Sequence, residues 1–360
     1  MTRIAEIIRF YSLDEIMEFI EKGGEYPRHH LWCYDKLKEQ GKSVEWIEYD
    51  KNARWNKIIE VFNFRQQLNL IKRSNDYDLI FAPFIVDVFF LALLRAFGLY
   101  KKPILGLGLD SHVPFKKHSL KRLRQKLQWL VYKHGIDHML FFNETIYHQS
   151  REYGGIGKSQ SFSDHWGPDL DFFTSYTERQ TEPSSEDFIF CTGGTGRDFD
   201  TLIKAFKGID FKLKLVTKRD EGLNDLPSNV TVDSSIKPGL NSVGLIRKDY
   251  YNSLAVAIPL LNTGKKWPVG ITVIMEALAM AKPIISTLNN SYPFDLEKEK
   301  VGFYVDYSDV KGWQECVKYV FEHPEETREM GERGRHLCKK NYNYDLFSKD
   351  VIDRIEMMSK

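Results

Sequence analysis

The fold is decided by the stretch Gly270-Ile-Thr-Val-Ile-Met-Glu276-Ala-Leu-Ala-Met-Ala-Lys-Pro283-Ile-Ile. It predicts a glycine turn, a helix over Thr272–Met280 and a proline that opens a buried strand. The helix N-terminus offers unpaired N–H groups and partial positive charge, which favour a phosphate. Glu276 lies about one and a half turns into this helix, where a carboxylate can bond the diol of a sugar. An ordinary βαβ loop with a surface glutamate would give the same pattern, because a glycine before a helix is a weak signal.

Length and composition indicate a globular protein with two domains. A chain of 360 residues is long enough for each domain to bury its own core. The 51 Lys and Arg residues nearly balance the 50 Asp and Glu residues, so net charge does not suggest nucleic-acid binding. The four cysteines are far apart and favour reduced thiols in a cytosol. No signal peptide follows Met1, and the apolar segment 81–100 is interrupted by charged residues and a proline, unlike a membrane span.

Short apolar strands alternate with helical periods, which predicts parallel α/β units. In the first half we expect strands at Val44–Tyr49, Leu79–Ala82, Pro103–Leu107 and His138–Asn143, and helices at His30–Gln40, Val86–Phe97 and Leu120–Lys133. In the second half we expect strands at Phe188–Thr192, Lys212–Val216, Val230–Asp233, Ala255–Leu261 and Pro283–Thr287. The helices expected there are Phe199–Lys207, Thr272–Met280, Gly312–Glu322 and Pro324–Asn341.

The segment Thr174–Asp187 predicts a domain boundary, because it is rich in Ser, Thr and Glu and has no apolar periodicity. We therefore predict an N-terminal domain over 1–173, a linker over 174–187, a second domain over 188–341 and a C-terminal helix over 342–360. Two doubly wound domains joined in this way would form a cleft between the carboxyl ends of their strands, where ligands bind.

Several stretches, in the same chain order, resemble family-4-like glycosyltransferases of the GT-B fold, and the helix that carries Glu276 resembles their donor-binding helix. The other stretches are Asp76-Tyr-Asp-Leu-Ile-Phe-Ala, Lys102-Pro-Ile-Leu-Gly-Leu-Gly-Leu-Asp110-Ser-His112, Phe142-Asn-Glu144, Trp166-Gly-Pro-Asp-Leu-Asp171-Phe-Phe, Gly193-Gly-Thr-Gly-Arg197 with the helix after it, and Pro324–Arg335. The resemblance implies two Rossmann-like doubly wound domains that face each other across a cleft, with the last helix crossing back to the first domain.

The activity implied by this resemblance is transfer of a sugar, with retention, from a nucleotide-diphosphate sugar to a glycan or lipid-linked acceptor. A hexosyltransferase of this type would act in cell-surface polysaccharide or glycan synthesis, with no bound metal and no cofactor besides its nucleotide-sugar substrate. By the same resemblance, Glu276 would hold the ribose, and His112 and Arg197 would be the catalytic residues. The donor would also contact Gly194, Thr195, Lys218, Lys266, Gly270, Ile271 and Thr272.

These residues also have ordinary structural interpretations. Arg197 can be a solvated surface arginine, Lys218 a solvated lysine at a strand end, and His112 a structural histidine. Arg197 follows a glycine-rich strand end, which favours a role in stabilising the departing diphosphate.

The chain departs from the family pattern at Pro268, at Ala281 where glycine is usual, and in a short loop where Arg197 must stand in for a separate arginine and lysine. The family often has a second glutamate eight residues before the one that binds ribose, and Pro268 stands there in this chain. The contacts to the transferred sugar are therefore open. A catalytically silent protein that binds sugar nucleotides or glycans, or a GT-B sugar-nucleotide epimerase, is the alternative function.

The pair Gly23-Gly24 has two interpretations. It can be a glycine loop at the cleft, with Arg28 nearby, or Gly23 can be the C-cap of a helix over Leu13–Lys22. The two interpretations are compatible with each other.

The segment 116–133 predicts a basic amphipathic helix. It holds seven lysines and arginines without an acidic residue, and leucines at 120, 123, 127 and 130 recur at three- and four-residue spacing. Commonly such leucines pack on the core and the charges face solvent. Alternatively, the segment docks on an anionic membrane surface, which would place a cytoplasmic enzyme at the inner face of the membrane.

Overall fold

The computed structural model describes residues 2–8, 12–21, 26–48, 64–108, 120–163, 165–178, 187–217, 226–236, 242–262 and 269–359. The chain divides into two compact units. The first contains Met1–Glu18, Arg28–His165 and Asp345–Lys360, and the second contains Phe19–Pro27 and Trp166–Tyr344. The second unit thus begins before the predicted boundary at 173, because a helix over Leu170–Glu178 packs within it. That helix also occupies the start of the segment predicted to be a linker.

A six-stranded parallel sheet forms the centre of the first unit, in the spatial order β2-β1-β3-β4-β5-β6. Its strands are β1 (Arg3–Ile7), β2 (Ser43–Ile47), β3 (Leu79–Ala82), β4 (Ile104–Gly108), β5 (His138–Phe141) and β6 (Ser161–Ser163). Its helices are α1 (Leu13–Glu21), whose last three residues belong to the second unit, α2 (Tyr34–Glu39), α3 (Phe64–Lys72), α4 (Phe89–Ala96), α5 (Leu120–Gly135), α6 (Glu144–Gly154) and the chain's last helix. Short 3₁₀ turns cover Arg28–Leu31, Ser74–Asp76 and Ile85–Val88.

The second unit has its own six-stranded parallel sheet, in the order β12-β11-β10-β7-β8-β9. Its strands are β7 (Phe188–Thr192), β8 (Lys212–Val216), β9 (Val230–Asp233), β10 (Ala255–Ile258), β11 (Ile284–Thr287) and β12 (Gly302–Val305). Its helices are α7 (Leu170–Glu178), α8 (Phe199–Phe206), α9 (Ser242–Asn252), α10 (Ile271–Ala279), α11 (Val310–Glu322) and α12 (Pro324–Asn341), and α13 (Tyr344–Met358) follows. Every helix in the described parts of the chain is too short or too polar to span a lipid bilayer.

Burial on both faces explains why the central strands are apolar runs rather than alternating patterns. Every residue of β3, β4, β7, β10 and β11 is buried. Parallel strands are covered by crossover helices on both sides, so neither face can be polar. The predicted α/β class with doubly wound sheets is confirmed in each unit.

The last helix, α13, completes the core of the first unit. Phe347 is fully buried, with its ring 5.9 Å from that of Phe142 and 6.3 Å from that of Trp32. An ion pair of 2.6 Å between Lys42 and Glu356 lies near the other end of the helix. The predicted return of the C-terminal helix to the first domain is therefore confirmed.

Helix α5 packs within the first unit through aromatic residues and not through Leu123, Leu127 or Leu130. Trp129 and Tyr132 are buried, and the Tyr132 ring lies 6.0 Å from that of Phe89 on α4. Leucines at 123, 127 and 130 are each more than half exposed. The expectation that the leucine stripe packs on the core is therefore wrong. The basic residues at 116 and 117 lie outside the described residues.

Gly135 allows α5 to pack closely against α4. A Cβ atom at this position would lie 1.9 Å from the backbone oxygen of Ala92. We expect Gly135→Ala to lower the free energy of unfolding by about 1–3 kcal/mol, because the two helices must separate. Urea unfolding measures this change. Gly157→Ala is the matched control, since a Cβ there meets no atom within 4 Å. Equal stability of the two variants would contradict the close packing.

Candidate functional site

The strand order of the second sheet places a crevice between β7 and β10. The chain runs outward from β7 through β8 to β9 on one side, and from β10 through β11 to β12 on the other. Ligands of doubly wound sheets bind at such a reversal, outside the carboxyl ends of the strands. The loop after β7 begins at Gly193, and the connection after β10 ends at Gly270, the N-cap of α10. These two turns therefore form the candidate site.

Arg197 lies between the two glycine turns. Gly193 and Gly270 have φ values of 99° and 91°, which glycine adopts without strain. A Cβ atom on Gly193 would lie 2.7 Å from Nη2 of Arg197, and one on Gly270 would lie 3.6 Å from Nη1. The missing side chain of Gly193 therefore leaves room for the guanidinium, whereas the Gly270 distance is that of an ordinary contact.

The Arg197 side chain is buried and bonded to its own loop. Its Nε donates to the backbone oxygen of Thr192 at 3.2 Å, and Nη1 donates to that of Thr195 at 3.3 Å. No carboxylate among the described residues forms an ion pair or a hydrogen bond with it. Its interpretation as a solvated surface arginine is wrong, because only 4% of the residue is exposed. The guanidinium is thus a fixed positive charge that no anion in the described parts of the chain neutralises.

Backbone N–H groups of the same loop are available to a ligand. Gly194 and Thr195 are exposed, and their N–H groups donate to no acceptor within the described residues. Across the crevice, no side chain caps the N-terminus of α10, whose first turn contains Ile271 and Thr272. Free N–H groups, a helix N-terminus and an arginine together favour an anion such as a diphosphate.

A hydrogen-bond network fixes the turn before α10. The backbone oxygen of Val269 accepts from the Tyr292 hydroxyl at 3.2 Å and from Asn289 Nδ2 at 3.5 Å. The Tyr292 hydroxyl also lies 3.1 Å from Ser286 Oγ. Sequence reasoning did not identify these positioning residues. Their signal in the sequence is weak: a serine within an otherwise apolar strand and a tyrosine in the loop that follows.

Glu276 is a buried carboxyl group on the second turn of α10. Its Oε2 accepts a hydrogen bond of 2.7 Å from the hydroxyl of Tyr250 on α9, and Tyr250 is fully buried with its ring edge-on to Phe190. Oε1 accepts no hydrogen bond from the described residues. Loss of solvent raises the pKa of Glu276 to about 7, although the bond from Tyr250 opposes this shift. The surface-glutamate interpretation is therefore wrong, and the ribose role stays a prediction.

The structure brings together part of the predicted site. Arg197, in the same loop as Gly194 and Thr195, approaches the α10 turn that starts at Gly270, and Glu276 lies further along that helix. The predicted residues at five other positions lie outside the described residues, namely Gly23, Gly24, His112, Lys218 and Lys266.

Arg28 belongs to the first unit and is already paired. Its Nη1 lies 3.4 Å from Glu39 and 3.8 Å from Asp35, both on α2. The Arg28 side chain is about half exposed, and that of Asp35 is mostly buried. Two carboxylates therefore offset the charge that was expected to serve a cleft loop.

Comparison with solved structures identifies the fold. No family model matches the sequence, and no curated protein matches it. Sucrose-phosphate synthase from Thermosynechococcus elongatus is similar with a TM-score of 0.71 and 15% identity, over 99% of both chains. A glycosyltransferase from Rickettsia africae ESF-5 is similar with a TM-score of 0.65 and 14% identity, over 100% of this chain and 99% of its own. HepE from Anabaena, in complex with UDP and glucose, is similar with a TM-score of 0.65 and 13% identity, over 99% of this chain and 100% of its own. The chain has the GT-B fold of these structures, as the resemblance predicted.

The raised pKa of Glu276 predicts a pH dependence of stability. The unfolded chain ionises this carboxyl near pH 4.5, whereas the folded protein holds the proton until about pH 7. Stability should therefore fall as the pH rises through this window, by about 3 kcal/mol in total. Glu276→Gln should remove this pH-dependent part of the stability, because an amide does not ionise. The hydrogen bond is kept, since the amide oxygen can still accept from the Tyr250 hydroxyl. Urea unfolding at pH 5 and pH 8 measures the difference, and identical pH profiles for the two proteins would contradict it.

Proposed function

We propose that the protein is a glycosyltransferase that moves a sugar from a nucleotide-diphosphate sugar to an acceptor. The observation that carries this proposal is the Arg197 guanidinium, which has no carboxylate partner among the described residues and lies between two glycine turns. A positive charge held in this way matches the diphosphate that glycosyl transfer releases. The GT-B fold of the chain supports the same class of reaction.

In this proposal the diphosphate binds where the two turns meet. N–H groups of Gly194 and Thr195 and of the first turn of α10 bond the phosphate oxygens, as helix N-termini and open loops do in other phosphate sites. Arg197 then offsets the negative charge that grows on the leaving group as the glycosidic bond breaks. Because the guanidinium is already fixed by two backbone oxygens, little reorganisation is needed in the transition state.

We further infer that Glu276 binds the ribose hydroxyls through Oε1, while Tyr250 holds Oε2. HepE has been solved in complex with UDP and with UDP-glucose, which makes these molecules suitable first probes. The acceptor in our proposal is a glycan or a lipid-linked sugar, and the transfer retains configuration and needs no bound metal. WaaG, a glycosyltransferase of lipopolysaccharide biosynthesis with a TM-score of 0.61, supports a role in cell-surface polysaccharide synthesis, carried out in the cytoplasm.

The alternative is a protein that binds sugar nucleotides without catalysis, which Pro268 at the position of the family's first glutamate favours. Incubation with a panel of nucleotide sugars separates the possibilities. Slow hydrolysis of one donor without acceptor supports a transferase. Binding without any product supports the silent protein, and a nucleotide sugar with an altered sugar indicates an epimerase.

Removal of the Glu276 carboxylate tests the ribose contact. Glu276→Ala should weaken UDP binding by about 1.5–3 kcal/mol, the range for a hydrogen bond to a charged group. Calorimetric titration measures the affinity, and circular dichroism checks that the fold survives. Glu315→Ala, an exposed glutamate on α11 of the same unit, is the matched control. Unchanged UDP affinity in Glu276→Ala would refute the assignment.

Arg197→Ala tests the stabilisation of the leaving group. Turnover should fall on the order of a hundredfold, as expected for loss of one transition-state donor. Guanidinium added in solution should restore part of this loss, which a purely structural role in the loop would not allow. The control is Arg335→Ala, since Arg335 also donates to a backbone oxygen, that of Ala279, away from the crevice. A kcat within a few-fold of the wild-type value would assign the role to another residue.

A further inference from the structure

The outer face of α5 carries a stripe of exposed leucines. Leu123, Leu127 and Leu130 are 56%, 55% and 53% exposed, whereas Trp129 and Tyr132 of the same helix are buried. Spacings of four and three residues place the leucines on one face, one turn apart. Single exposed apolar residues are common on protein surfaces, but a row of three along one helix is a contiguous apolar patch.

Basic side chains border this leucine stripe on both sides. With 100° between successive residues, Arg124 projects on one side of the stripe, and Lys126 and Lys133 project on the other. All three are exposed. The sequence from 120 to 135 contains no Asp or Glu, so no carboxylate on the helix offsets their charge.

We propose that this face of α5 docks on the surface of an anionic lipid bilayer. Leucines in the stripe would enter the boundary between headgroups and acyl chains, while the flanking basic side chains would contact the anionic headgroups. The inference is independent of the proposed transferase activity, because it concerns only where the protein binds.

The charge of this face favours an anionic bilayer over a second copy of the chain as its binding partner. A symmetric dimer formed through the stripe would place the basic borders of two identical helices against each other, without an acid on either helix to separate them. An anionic bilayer instead supplies both an apolar layer and negative charge. The face is therefore complementary to a lipid surface and not to itself.

Sedimentation with vesicles tests this proposal on the full-length protein. Phosphatidylcholine vesicles with and without phosphatidylglycerol are compared at low and high salt. The wild-type protein should sediment with the anionic vesicles at low salt and be released at high salt. Changing Leu123, Leu127 and Leu130 to Gln should lower the partition coefficient about tenfold or more, and so should changing Arg124, Lys126 and Lys133 to Gln.

Matched controls use exposed residues on other helices. Leu68, Leu245 and Leu346 are exposed leucines on α3, α9 and α13, and their joint change to Gln should leave binding within twofold. The same holds for Lys207, Lys311 and Lys349. Wild-type protein that stays in the supernatant at low salt overturns the proposal. So does equal binding to neutral and anionic vesicles, an equal loss in the controls, or a stable dimer in light scattering that the leucine changes dissociate.

Discussion

The close approach of the Arg197 guanidinium to two glycine backbones is the constraint on which the candidate site depends. Any side chain at Gly193 would collide with Nη2, and the φ of 99° already disfavours other residues there. At Gly270 a Cβ would lie 2.8 Å from Ile258 on β10. The guanidinium can therefore lie beside the Gly193 backbone only because Gly193 lacks a Cβ, and the turn at Gly270 can lie against β10 only because Gly270 lacks one. The sheet provides this crevice because β7 and β10 are parallel neighbours, and the chain continues from them toward opposite edges of the sheet.

A second constraint is the cost of burying Glu276. A carboxyl group in an apolar helix loses its hydration, and a single hydroxyl from Tyr250 replaces only part of it. Burial consequently raises the pKa of Glu276 to about 7, so that the group holds its proton in mildly acidic solution. Such a perturbed carboxyl beside a crevice is common at functional sites, although structural networks produce it too. In this chain both readings apply, because one oxygen is held by Tyr250 while the other has no donor among the described residues.

Local patterns predicted five of the six described strands of the second unit and four of its six described helices, but not the helices Leu170–Glu178 and Ser242–Asn252. Phe188–Thr192 is an apolar run, whereas Lys212–Val216 and Val230–Asp233 alternate apolar and polar residues. All three form strands with the predicted bounds. The strands Arg3–Ile7, Ser161–Ser163 and Gly302–Val305 were missed. Two charged residues in the first, two serines in the short second and a glycine and a tyrosine in the third weaken the apolar signal. The glycine turns around Arg197 were visible in the sequence.

Contacts between distant residues were not visible in the same way. Tyr250 and Glu276 are 26 residues apart, and nothing local marks them as partners. The leucines of α5 show a related difficulty. Periodicity identifies a face of a helix, but it does not say whether that face meets the core, and here Trp129 and Tyr132 fill that place. The direction of a face is decided by which side chains fit the neighbouring helix, as Gly135 and Ala92 illustrate.

The position of α13 has a consequence for how the protein is made. The first unit takes its last segment, Asp345–Lys360, from beyond nearly the whole of the second unit. Trp32 and Phe142 are therefore synthesised long before Phe347, whose ring packs against theirs, leaves the ribosome. The second unit has almost all of its elements by then. Although domains usually fold in the order of translation, the amino-terminal unit of this chain can finish its core only after the carboxyl-terminal unit has emerged.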